Sequence, residues 1–73
     1  MLYSRKEAIL NDLRATSIHG SAFYDIVFTC TEQLDPRPDL ARIGSEMIYP
    51  NAQAGDRVFI ERIANVVVRV EKL

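Results

Sequence analysis

The chain is poor in reactive and structurally special residues: one cysteine, one histidine, no tryptophan and three glycines among 73 residues. A lone thiol, Cys30, excludes an intrachain disulfide, and a single histidine beside it cannot furnish a Cys/His zinc site. Gly20, Gly44 and Gly55 lie too far apart to form a phosphate-cradling loop. No apolar run approaches the roughly 20 residues that span a bilayer, and no basic, apolar leader is read at the start. An unpaired cysteine inside an apolar run suits a reducing compartment, so the expectation is a soluble, cytoplasmic protein. Excess charge of one sign is also missing, with nine basic and ten acidic residues giving a net charge of −1. Nucleic acid is therefore not expected as the main direct partner, because that affinity comes largely from a surplus of Lys and Arg on phosphates.

What is present suits one small folded domain, residues 1–73, with 48% hydrophobic and 26% charged residues well mixed. At this length a chain buries only about 60% of the surface it exposes when unfolded, so stability is marginal without a partner. Ser4 followed by Glu7 has the spacing of a helix-capping box, and Ile9, Leu10 and Leu13 fall on one face at a 3.6-residue period. These features predict an amphipathic helix over residues 5–15, ended by the turn Ile18-His19-Gly20-Ser21. Residues 22–31 then read as a central strand and 32–39 as a rigid loop around Pro36 and Pro38. Residues 43–49 read as a third alternating segment. Residues 57–63 and 66–71 read as a hairpin closed at Ala64-Asn65, since Asn tolerates positive φ. The expected class is α+β: one N-terminal amphipathic helix packed on a small antiparallel sheet of about four strands, a meander short enough to close partly into a barrel.

The chemistry-bearing residues are few and scattered. A Cys–His nucleophilic pair needs both groups in hydrogen-bond reach and a third to orient the imidazole. His19 sits in a turn between Ser17 and Ser21, and Cys30 reads as a buried strand residue that packs as a small hydrophobe. Glu32, Asp35 and Asp39 lack the alternating spacing and the glycine of a calcium loop. No catalytic residue, metal or cofactor is expected, and the chain is read as a non-enzyme. Phe23, Tyr24, Phe28, Tyr49 and Phe59 could stack bases beside Arg57, Arg62 and Arg69, which keeps a small nucleic-acid-binding barrel as an alternative. Phe23, Phe28 and Phe59 read better as core, and Asp25, Glu46, Glu61 and Glu71 would repel phosphate.

Pro50 followed by Gly55-Asp56-Arg57-Val58-Phe59-Ile60 resembles the core strand of LexA-type serine/lysine peptidases. That family carries its nucleophilic serine three residues before the proline, where this chain has Met47, and Ser45 is out of register. The resemblance covers about a dozen residues and implies a β-hairpin, not a peptidase.

Protein recognition is what remains. Tyr3, Arg5 and Lys6 at the start of the predicted helix, with Met47 and Tyr49, are the expected protein-binding anchors, because Tyr, Met and Arg are enriched at interface centres. In size, single-domain economy and lack of catalytic groups the chain is similar to the small transcription regulators of lytic phages, such as the antitermination proteins of Xanthomonas phages. That resemblance implies a binder of bacterial RNA polymerase that inhibits initiation or causes antitermination. The alternative is an oligomeric structural part of a virion, of the head–tail joining type. Unpaired sheet edges also allow pairing with a second copy, so a homodimer is compatible with the sequence.

Overall fold

The computed structural model describes residues 2–73. Five strands account for most of the chain: β1 (Tyr3–Ile18), β2 (Ser21–Cys30), β3 (Pro38–Gly44), β4 (Arg57–Ile63) and β5 (Val66–Lys72), with one short 3-10 turn, Ser45–Met47. They form one sheet in the order β3-β2-β1-β4-β5, every neighbour antiparallel. The sheet curls until its outer strands approach. Leu40, Ala41 and Arg42 of β3 line one groove with Val66 and Val67 of β5, and Ile48 makes a parallel bridge to Val70. The result is an incompletely closed barrel.

This corrects the α+β expectation. The amphipathic helix over residues 5–15 does not form; that segment lies inside β1, and the sheet has five strands instead of four. The cause is one extra residue. Ala8 and Leu10 point into the core at the two-residue period of a strand, and the register with β2 then jumps between Leu10 and Asp12. Asn11 is the inserted residue of a β-bulge, which returns Leu13 to the core face three positions after Leu10. A spacing of three is what a helix would give. The bulge is held by a hydrogen bond from the Thr29 hydroxyl to the Asn11 side-chain oxygen, 2.7 Å. Favourable helix propensity in residues 5–15 gives way to the sheet that buries Ala8 and Leu10 completely.

The third predicted strand is also displaced. β3 begins at Pro38, where a first residue needs no ladder N–H, and ends at Gly44 before the 3-10 turn. The β4–β5 hairpin stands as expected, although the positive φ falls on Ala64 (54°) and not on Asn65. Inside the barrel lie Ala8, Leu10, Ile26, Phe28, Cys30, Ile43, Ile48, Val58, Ile60 and Val70, with no buried polar residue among those described. Phe28 is fully buried, whereas Phe23 and Phe59 are only half-buried.

β1 changes partner along its length. Residues Tyr3 to Ile9 pair with β4, and Ala8 to Ile18 pair with β2, so both sides are covered only near the bulge. The far half of β1 forms, with β2, a hairpin arm closed by the two-residue turn His19-Gly20, both at positive φ (50° and 81°).

Candidate functional site

The outer face of β1, β4 and β5 is built in cross-strand rows. Register places Tyr3 beside Ile63 and Val66, Arg5 beside Glu61 and Arg69, and Glu7 beside Phe59 and Glu71. Arg5, an expected anchor, spends its donors at home: Nε on Glu61 at 3.3 Å, Nη2 on Glu71 at 3.5 Å, with its guanidinium 3.9 Å from the centre of the Phe59 ring. Arg57 pairs with Glu7, and Arg69 reaches Glu71 at 3.9 Å. Three arginines answer three glutamates, which makes this part of the face a solvated charge lattice whose exposed pairs contribute no more than about 1 kcal/mol each.

The first row is different. Tyr3, Ile63 and Val66 stand side by side with 60%, 39% and 64% of their surfaces exposed. Leu2 borders the groove beside Tyr3 and Asn65, and Leu40, 75% exposed, borders the groove beyond Val66. Lys6 lines the groove it shares with Leu2, Tyr3 and Arg62. Tyr3 and Lys6 therefore meet at one end of the barrel, joined by Leu2, Leu40, Ile63 and Val66, which sequence reasoning did not single out. Apolar residues flanking both sides of the Ala64-Asn65 turn were the available signal.

Met47 and Tyr49 lie elsewhere, in a shallow groove along β5 with Glu46, Ile48, Arg69 and Lys72. Met47 is partly exposed, but Tyr49 packs against the core, and its hydroxyl donates to Asp56 Oδ2 at 2.6 Å. The Gln53 N–H also donates to that oxygen, 3.0 Å, while the Leu10 N–H meets the Asp56 carbonyl and the Gly55 N–H meets the Leu10 carbonyl. Burial, then the Asp56 bond, pushes the Tyr49 hydroxyl well above its ordinary pKa; the Tyr49 bond, then the Gln53 N–H, holds Asp56 below the usual carboxylate range. Tyr49 is thus the pin that fastens the 50–56 loop to the bulge of β1, so the five expected anchors do not form one site.

A second unpartnered surface is the far edge of β1. After the Gly55 and Asp56 contacts to Leu10, residues 12–18 pair with β2 alone. The two-residue turn makes Ile18 and Ser21 the bonded pair; alternation then turns the N–H and C=O of Ser17, Ala15 and Leu13 away from β2. The Leu13 N–H is met by its neighbour's side chain, Asp12 Oδ1, at 2.9 Å, and Leu40 on the outer edge of β3 is met in the same way by Asp39 Oδ1, 2.9 Å. Arg14 is the only Lys, Arg, Asp or Glu between Leu13 and Tyr24.

The two groups best suited to chemistry are held apart. His19 sits at the tip of the arm, and Cys30 is buried at the other end of β2, a ten-residue strand that spans roughly 30 Å. Among the described residues no cluster of His, Cys, Asp and Glu could hold a metal ion, and no helix is long and apolar enough to cross a membrane. Comparison with known proteins finds no family model that matches the chain, no curated protein similar to it in sequence and no solved structure similar to it in fold.

Proposed function

We propose that the chain is a non-catalytic protein-binding module that serves as a joining part in a larger protein assembly, the virion head–tail type of use. The observation that carries this is bivalence. An exposed apolar row, Tyr3-Ile63-Val66, lies at one end of β1, and an unpaired strand edge, residues 12–18, lies at the other. A regulator that covers one surface of bacterial RNA polymerase needs a single contact face, whereas a part that links neighbours needs two. Inhibition of initiation or antitermination would use the Tyr3 end alone and leave the arm without a role. A nucleic-acid partner fits less well, because Glu7, Glu61 and Glu71 stand among the arginines of the outer face.

The test is size-exclusion chromatography with light scattering on the wild-type chain and on a Tyr3→Ala, Val66→Asp double variant, beside capture on immobilised bacterial RNA polymerase. Concentration-dependent association that the double variant weakens supports the joining role. A wild-type chain that stays monomeric but is retained by polymerase through Tyr3 refutes it in favour of the regulator.

A further inference from the structure

We infer that the free edge of β1 is a two-fold docking surface for a second copy of this chain, with residues 12–18 of the two copies paired antiparallel about Ala15. This rests on the reading of that edge as a contact surface and names its occupant.

The lane beside β1 is open because β4 leaves it. β4 and then Asp56 accompany β1 as far as Leu10, and beyond that point no strand takes up the outward groups of Ala15 and Ser17. Only another extended segment can meet a row of backbone donors and acceptors at that spacing. The chain owns such a segment, of the same length and free on its outer side, with its end at the His19-Gly20 turn extending beyond β3. Antiparallel pairing of two such edges sets the second copy's β1 in line with β4 and in the same direction, so each arm fills the lane the other's β4 vacates.

The register follows from what is free. Any centre nearer the bulge would ask for groups of Leu10, which already bond Asp56 and Gly55. A centre at Ala15 uses the whole of 12–18 and nothing else, and it places an outward-bonding residue with a small side chain on the axis. Leu13 then faces Ser17, Arg14 faces Thr16 and Asp12 faces Ile18, so no two like charges oppose each other. Asp12 must release the Leu13 N–H as the strands meet. Natural edges are usually guarded by lysines, prolines or inward charges; this one has no lysine or proline, and its two charges, Asp12 and Arg14, both face outward.

The decisive variants are Ala15→Pro and Ala15→Cys. Proline removes an N–H that points away from β2, a position where edge strands accept it, so the fold should persist by circular dichroism while the mass falls from twice 8.3 kDa to 8.3 kDa. The dissociation constant should rise about tenfold or more, from the lost pair of backbone bonds. Directly opposed bonded residues sit about 5.5 Å apart at Cα, within disulfide range, so Ala15→Cys should give a reducible covalent dimer under mild oxidation. A dimer that persists in Ala15→Pro and does not cross-link through Ala15→Cys overturns the pairing and leaves the joining role intact. A wild-type chain monomeric to about 1 mM with no cross-link also overturns it. Loss of association only in the Tyr3→Ala, Val66→Asp variant assigns the contact to the other end.

Discussion

Arg62 offers a graded test of how the barrel holds its open seam. It is the interior-facing residue after Val58 and Ile60 on β4, and its side chain is 22% exposed. The guanidinium lies 5.3 Å from the centre of the Phe28 ring, and Nη2 bonds Asp39 of β3 at 2.6 Å. Three contributions can be separated by three variants. Asp39, itself 58% exposed, supplies a bridge worth no more than about 1 kcal/mol. The cation over Phe28 contributes about 1 kcal/mol, and the aliphatic stem that covers the ring about 1 kcal/mol more. Asp39→Ala should therefore cost under about 1 kcal/mol, Arg62→Met roughly 1–2, and Arg62→Ala roughly 2–3, against a total of about 4–11 kcal/mol for a domain of this size. In thermal melts, at roughly 4–8 °C per kcal/mol, Arg62→Ala should lose about 10–20 °C. Raising the salt to about 1 M should erase the Asp39→Ala effect and spare most of the Arg62→Ala effect. Equal losses for Asp39→Ala and Arg62→Ala would refute the idea that Arg62 acts mainly by covering Phe28.

Acid should loosen the protein in a defined window. Asp56 is held low first by Tyr49, and Asp25 first by its hydrogen bond from Arg42, so their contribution is complete above the unfolded value of 3.8 and lost as pH falls below it. Melts between pH 6 and 2 should show the decline beginning near pH 3.8, shallower in Tyr49→Phe, which itself costs about 1 kcal/mol at neutral pH. Because the Tyr49 pKa is raised, its contribution is full below 10.0 and fades as pH rises beyond, a loss Tyr49→Phe should lack. His19→Asn, at a φ of 50°, should stabilise the turn by roughly 0.5–1 kcal/mol in urea unfolding; no gain would mean that the backbone there is unstrained. Deleting Asn11 should leave a folded protein that keeps the close Leu13–Ile26 pairing, visible as an Hα–Hα NOE, because only the extra residue of the bulge is removed.

The legible parts of the sequence were those with unbroken alternation. β2 and β4 read to within a residue or so because Ile26-Phe28-Cys30 and Val58-Ile60 repeat every second position, whereas β5 is legible only as a valine-rich run: a register shift at Val68 turns Val66 outward and Val67 toward the core. β1 was illegible because Ile9, Leu10 and Leu13 match a helix face, and only the partner strand reveals that Ile9 faces outward and Asn11 is inserted. β3 was hidden behind Pro36 and Pro38, since a proline that opens a strand looks the same as one that stops it. Of the candidate site, Tyr3 could be read, but Ile63 and Val66 became its neighbours through a pairing sixty residues away in the chain. Tyr49 reads as spare in the sequence because its partner, Asp56, reads there as an ordinary turn residue.

The partner change along β1 has a consequence for how the polypeptide acquires its shape during synthesis. The arm can zip as soon as Ser21 to Cys30 have been made, but residues 3–9 must wait for Arg57 to Ile63, some fifty residues further along the chain. Until then Ala8 and Leu10 have one flank bare, and closing that long loop is slow and exposed to aggregation. A ribosome stalled before residue 57 would thus carry a partly zipped ribbon with its greasy side open, an early target for a chaperone.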